Sequence, residues 1–165
     1  MRVDANRGRA PVRSALADAL GAACEGSGGL ILLLGDAGIG KTTTARELAT
    51  SARRRGVTVR WSACWSGGGT VAHAPWLTLL SGLGAPGRSA MDRLLGSDLD
   101  DAAAVAPART SAYAAVVEAL ESATTEQAAL LVIDDLHWAD EGTLELLDVV
   151  AAHLPGLAVL VVGTY

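Results

Sequence analysis

Four short stretches of the chain have the hydrophobic pattern of β-strands. Three are continuous apolar runs, which are typical of strands buried on both faces of a parallel sheet. The remaining stretch, at residues 57–62, alternates apolar and polar positions and is rich in β-branched residues, which also favours a strand. The predicted strands are residues 30–34, 57–62, 129–133 and 157–162.

Helical spacing fills most of the chain between these strands. Apolar residues three or four positions apart predict one helix on either side of the first strand, at 11–24 and 41–55. Two more are predicted at 111–122 and from an Asp140 N-cap to His153. A strand, a glycine loop, a helix and a second strand within about thirty residues form a βαβ unit, which builds parallel sheets. The expected fold class is therefore α/β.

The middle of the chain is less regular. Residues 66–107 contain the loop sequences SGGG and GLGAPG, with room for a short helix near residues 76–83. Residues 96–107 have the composition of a linker or surface insertion. The prediction is one domain over residues 1–165, with an irregular insertion at 66–107.

Charge and composition limit the partners of this chain. Its net charge is −5 and its pI is about 5.1, which argues against direct binding to nucleic acid because such binding relies on basic clusters. The apolar runs are far shorter than the ~20 residues that span a bilayer, and the first residues lack the apolar core of a signal peptide. Two cysteines are too few for a disulfide framework. These features predict a soluble, cytoplasmic protein with no membrane partner.

The sequence GDAGIGKTT, which follows the first predicted strand, carries the clearest chemistry. It matches the P-loop pattern, in which glycines let backbone N–H groups approach phosphate oxygens and the next helix presents its N-terminus. It also contains the chain's single lysine, a compact charge able to reach the β- and γ-phosphates. The alternative is a glycine-rich turn without a ligand. The expected nucleotide-binding residues are Gly35, Asp36, Ala37, Gly38, Ile39, Gly40, Lys41, Thr42 and Thr43.

Two strand ends supply candidate residues for hydrolysis. The third strand ends in Asp134 and Asp135. In a sheet with a P-loop, Asp134 would act with the Thr42 hydroxyl on Mg²⁺, and Asp135 would orient the attacking water. Thr164 follows the fourth strand and could contact the γ-phosphate or that water. The alternatives are an Asp that caps the next turn and a plain strand terminus. His137 is expected to be a packed loop residue rather than a base.

GDAGIGKTT, LLVIDDLHWAD and VVGTY together resemble the ATPase module of bacterial STAND-type, AAA-like regulators, the large proteins related to MalT and to LAL-type (large LuxR-like) transcriptional regulators. The resemblance implies a three-layer P-loop NTPase fold with strand order 5-1-4-3-2, and an ATP- and Mg²⁺-driven oligomerisation switch. It implies roles in hydrolysis for Asp135 and Thr164. Gly8-Arg9 resembles a family motif that lies near the adenine, with Ala10 where an acid is common.

Relative to that family, strand 5 and all later modules are missing. The P-loop strand at 30–34 would then be an exposed, uncharged edge, which favours aggregation or pairing. The expectation is a truncated, self-associating fragment. Two alternatives stay open: a nucleotide-binding remnant that does not hydrolyse ATP, and a small P-loop kinase. The kinase would need a lid, for which Arg88, Arg93 and Arg109 are candidates.

Overall fold

The computed structural model describes residues 1–4, 9–67, 71–97 and 102–165, with the backbone alone at residues 9 and 102–105. This part of the chain has five strands and six α-helices, with three helices in succession between the third and fourth strands. The strands are β1 (Arg2–Asp4), β2 (Gly29–Leu34), β3 (Thr58–Ala63), β4 (Ala129–Asp134) and β5 (Val159–Thr164). The helices are α1 (Arg9–Cys24), α2 (Lys41–Arg54), α3 (Ala74–Leu80), α4 (Gly84–Leu95), α5 (Ala102–Ala123) and α6 (Glu141–His153).

The strands form one parallel sheet in the order β1-β2-β5-β4-β3. Four of them are the strands that the hydrophobic pattern predicts, and their order is the one that the family resemblance implies. The fold class, α/β with a parallel sheet of the P-loop NTPase type, is therefore confirmed.

The predicted exposed edge at the P-loop strand is wrong. The first residues of the chain form β1, which pairs in parallel with β2, so that Arg2 lies beside Leu32 and Asp4 beside Leu34. On its other side β2 pairs with β5. The three residues of β1 have no apolar run and no alternation long enough to predict a strand. The N-terminal strand thus occupies the place beside the P-loop strand that the family resemblance assigns to strand 5.

Helices cover both faces of the sheet, which makes three layers. On one face, α1 and α2 pack against alternate residues of the central strands, among them Leu130 and Val132 of β4. On the other face, helices α3 to α6 pack against the intervening residues of the same strands, including Leu131 and Ile133 of β4. All four side chains are fully buried. Burial on both faces explains why these strands are continuous apolar runs.

The middle of the chain is more ordered than predicted. Within residues 66–107, predicted as an irregular insertion, the structure has α3, α4 and the start of α5, whereas residues 98–101 lie outside the described part. The sequence GAPG was predicted to be a loop but begins α4. Pro86 lies in its first turn, where a proline is tolerated. A Cβ on Gly87 would lie 2.2 Å from the Leu80 carbonyl oxygen, so this glycine allows close packing of α4 on α3. None of the described helices is long and apolar enough to cross a membrane.

Candidate phosphate-binding site

The P-loop lies where β2 ends and α2 begins, at the carboxyl edge of the parallel sheet. Gly35, Gly38 and Gly40 have φ angles of 151°, 80° and 100°, which favour glycine because other residues are strained there. Helix α2 starts at Lys41 and has no side-chain cap on its first turn. Its first N–H groups have no partner within the helix, so they can donate hydrogen bonds to an anion.

Lys41 folds back over the loop that precedes it. Its Nζ donates hydrogen bonds to the carbonyl oxygens of Gly35, at 2.6 Å, and Asp36, at 3.0 Å. These contacts hold the ammonium group of Lys41 against the glycine-rich loop. The expected arrangement, a point charge beside a glycine-rich phosphate loop, is therefore present.

Asp134, the last residue of β4, joins three elements through a single oxygen atom. Its Oδ1 accepts a hydrogen bond from Thr42 Oγ1 of α2 at 3.0 Å and another from Thr164 Oγ1 of β5 at 2.5 Å. Asp134 is 6% exposed and Thr164 is fully buried. The sequence predicted each of these residues, and the structure brings the three together.

Asp135 takes a left-handed conformation immediately after β4, with φ of 58°. Aspartate is one of the few residues other than glycine that adopts it readily. Its backbone N–H donates to Thr164 Oγ1 at 2.9 Å, so the Thr164 hydroxyl donates one hydrogen bond and accepts another. Among the described residues its carboxylate has no hydrogen bond or ion pair, and it lines the cavity beside the P-loop.

This cavity has a volume of about 1000 Å³, large enough for a nucleotide. Of the residues predicted to bind nucleotide in the P-loop, Gly35, Ala37, Gly38, Gly40 and Lys41 to Thr43 line this cavity, whereas Asp36 and Ile39 do not. The side chain of Arg9 is outside the described part, so its role stays a prediction. The other described residues that line the cavity are Arg2, Leu32, Leu34, Asp135, His137 and Tyr165.

Sequence reasoning missed Arg2 and Tyr165 as cavity residues. Arg2 lies in a strand too short to predict. Tyr165 makes an edge-to-face contact with His137, with 6.2 Å between ring centroids. The placement of His137 depends on the left-handed turn at Asp135, which is not visible in the spacing of the residues.

The three arginines suggested for a kinase lid do not line the cavity. Arg93 donates a hydrogen bond to Ser111, and Arg109 forms an ion pair with Glu145 at 3.2 Å, both on the helices α4 to α6. No contact to the P-loop involves them in the described structure. The lid that a small kinase requires is therefore not formed by these residues.

Asp140 fixes the segment that follows the two acidic residues. It caps α6, accepting hydrogen bonds from the Thr143 backbone N–H at 2.8 Å and the Thr143 hydroxyl at 2.6 Å. Burial tends to raise the pKa of Asp140, but the hydrogen bonds from Thr143 and from the His73 backbone outweigh it and lower the pKa below 3.8. The predicted N-cap is confirmed.

Cys64 lies near the same acidic segment and is buried. Burial raises the pKa of its thiol to about 11, and the carboxylates of Asp140, Asp135 and Asp134 add to the increase. The thiol is therefore protonated at neutral pH and is a poor nucleophile.

The donor set fits a magnesium-bound nucleotide. Mg²⁺ prefers oxygen ligands and is commonly held by one or two protein groups together with substrate phosphates. The Thr42 hydroxyl and the Asp134 carboxylate supply such oxygens at the start of α2. In the described structure no three His, Cys, Asp or Glu residues are grouped so that they could hold a metal on their own. Thr42 and Asp134 would therefore hold the ion only together with phosphate oxygens.

A parallel sheet with a glycine-rich loop between β2 and α2 and acidic residues at the end of β4 defines a P-loop NTPase-like protein. A family model described as an AAA ATPase domain matches residues 7–162, and the chain belongs to this family. Membership indicates nucleotide binding, and the family generally uses ATP and Mg²⁺. The chain matches none of the curated proteins with which it was compared.

Proposed function

We propose that this chain is the ATP-binding module of a bacterial signalling or transcriptional regulator of the STAND type, related to MalT and LAL-type regulators, and that it hydrolyses ATP slowly. One observation carries this proposal. One carboxylate oxygen of Asp134 accepts hydrogen bonds from both Thr42 of the P-loop helix and Thr164 of β5. The P-loop and the strand ends proposed to act in hydrolysis are therefore joined at a single atom.

The residues divide the chemistry between them. The P-loop N–H groups and Lys41 bind the phosphates, and Thr42 and Asp134 hold Mg²⁺, which neutralises phosphate charge when bound. Asp135 orients the attacking water from the cavity wall. Thr164 fixes both acidic residues, since it donates to the Asp134 side chain and accepts from the Asp135 backbone.

Slow turnover follows from Asp135. Its carboxylate is one methylene shorter than that of a glutamate, and it has no hydrogen-bond partner among the described residues that would orient it. Slow hydrolysis suits a switch, because the ATP state then persists. The same free carboxylate favours a second candidate function, nucleotide binding without turnover.

Self-association and a cytoplasmic location are also part of this proposal. An exposed β2 edge does not support self-association, because β1 covers that edge. Self-association rests instead on the family resemblance and on two exposed tryptophans near the site, Trp65 at 75% and Trp138 at 52% exposure.

Calorimetric titration with MgATP and MgADP, followed by an ATP turnover assay, tests the function. Lys41→Ala should weaken binding about 100-fold, because a charged hydrogen-bond donor to phosphate is lost. Asp135→Asn should bind like the wild type and lose turnover by about 100-fold or more.

The outcomes separate the two candidates. Binding by the wild type that is insensitive to Lys41→Ala contradicts the phosphate site. Binding without any wild-type turnover supports the second candidate, a binding module, over the ATPase.

A further inference from the structure

Arg2 lines the nucleotide cavity but belongs neither to the P-loop nor to the acidic segment after β4. It lies in β1, outside the residues 7–162 that the family model matches. Its register partner is Leu32 of β2, which lines the floor of the same cavity together with Leu34. Backbone pairing of β1 with β2 therefore holds this arginine at the nucleotide cavity.

The guanidinium of Arg2 has no protein partner in the described structure. Two other arginines form ion pairs: Arg13 pairs with Glu47, and Arg109 pairs with Glu145. Arg2 forms no hydrogen bond or ion pair with any described residue. Arg2 lines the cavity, and the five donors of its guanidinium have no partner among the described residues.

The charges of the cavity indicate what this group would bind. Among the described residues, its charged lining residues are Arg2, Lys41 and Asp135, two cations and one carboxylate. The Lys41 ammonium already donates to two loop carbonyls, so of these two cations Arg2 is the one whose donors have no partner among the described residues. An arginine fork matches the oxygens of a phosphate group in a bidentate manner.

We propose that Arg2 is a second cationic contact for the phosphate chain of the bound nucleotide. This inference rests on the proposed nucleotide binding and adds a binding residue supplied by the N-terminal strand. Strand β1 then has two roles: it covers the edge of β2, and it carries a phosphate ligand to the cavity.

Arg2→Gln tests the inference, because it removes the charge, keeps a long polar side chain and leaves the backbone pairing of β1 available. Titration with MgATP should show binding weakened about tenfold. Arg2→Lys restores the charge and should recover part of the loss. The loss should shrink as the salt concentration rises, because salt screens the charge.

Arg54→Ala is the matched control. It also removes one positive charge from an exposed residue, but at the opposite end of α2 from the P-loop. It should bind MgATP like the wild type. Equal weakening by Arg54→Ala and Arg2→Gln would mean that only net charge matters, and would overturn the inference.

The two proposals fail in different ways. If the wild type binds MgATP, Lys41→Ala weakens that binding about 100-fold, and Arg2→Gln binds normally with an unchanged melting temperature, then nucleotide binding stands and the role of Arg2 is wrong. If the wild type does not bind, both are wrong. If Arg2→Gln lowers the melting temperature, its affinity is measured at a low temperature at which the variant is folded. Normal binding by folded Arg2→Gln there overturns the role of Arg2.

Discussion

The two sides of the nucleotide cavity are constructed differently. On the P-loop side, the lysine side chain donates to its own loop, at Gly35 and Asp36, and glycine backbone conformations give the loop its shape. On the acidic side, side chains connect separate elements: Thr164 of β5 bonds to both Asp134 and Asp135, which lie some thirty residues earlier. The P-loop side is a local structure, whereas the acidic side exists only when the sheet is assembled.

Because of this difference, we expect the P-loop side to contribute mainly to ligand binding and the acidic side mainly to stability. In the described structure, one side-chain hydrogen bond links the two sides, from Thr42 Oγ1 to Asp134 Oδ1. Removing a side chain from the P-loop side should therefore cost ligand binding and little stability. Removing one from the acidic side should cost stability even without a ligand.

Thr164→Val should have the largest effect on stability. The valine keeps the shape of the fully buried threonine but removes its hydroxyl, so the Asp135 N–H and the Asp134 carboxylate each lose a partner. Unpaired buried polar groups cost about 1–3 kcal/mol each, so unfolding by urea should show a loss of about 2–3 kcal/mol.

Thr42→Val is the matched control, because it removes the other hydroxyl from the same Asp134 oxygen. It should lower the free energy of unfolding by less than about 1 kcal/mol, since Thr42 lies at the cavity wall where water can replace it. It should, however, weaken the dependence of ATP binding on Mg²⁺. Equal stability losses for the two variants would contradict the contrast between the two sides.

Asp140→Ala should have the next largest effect. It removes the cap of α6 and both hydrogen bonds from Thr143, which at a helix N-terminus is worth about 1–2 kcal/mol. Asp140→Asn keeps a good capping residue and should lose much less. A loss as large for asparagine as for alanine would mean that the charge, rather than the cap, stabilises this segment.

The same aspartate predicts a pH dependence. Its folded-state pKa is lowered below 3.8, so the stability that it contributes is fully present above about pH 4 and is lost as the pH falls through the folded-state pKa. Below pH 4 the wild type should therefore lose stability more steeply than Asp140→Asn, as followed by urea unfolding at several pH values. Parallel curves would show that Asp140 does not titrate differently in the folded and unfolded protein.

The contrast also explains what the sequence could predict. The P-loop and the strand ends at Asp134 and Thr164 are visible because their residues are contiguous or end long apolar runs. The N-terminal strand is not, because three residues carry no period and their pairing with β2 depends on the rest of the sheet. Arg2 was missed for this reason. Helix α4 was missed because glycine and proline in GAPG suggest a loop, whereas the first turn of a helix accepts Pro86.

The smallest effect is expected on the outer surface of the P-loop side, where Arg13 of α1 meets Glu47 of α2. The pair is bidentate, with Nε to Oε2 at 2.8 Å and Nη2 to Oε1 at 2.7 Å, but both side chains are close to half exposed. Solvent screening limits such pairs to about 0.2–1 kcal/mol. Glu47→Gln should cost no more than this in urea unfolding, with Glu126→Gln, an exposed glutamate elsewhere, as control.

Salt should distinguish this surface pair from the acidic side. Raising NaCl from about 0.1 M to about 1 M shortens the Debye length from about 10 Å to about 3 Å, so the cost of Glu47→Gln should fall towards zero. The cost of Thr164→Val should not change, because it comes from buried groups that salt does not screen. If the cost of Glu47→Gln exceeds about 2 kcal/mol or persists in high salt, side-chain contacts secure the P-loop helix as firmly as they secure the acidic side, and the contrast between the two sides fails.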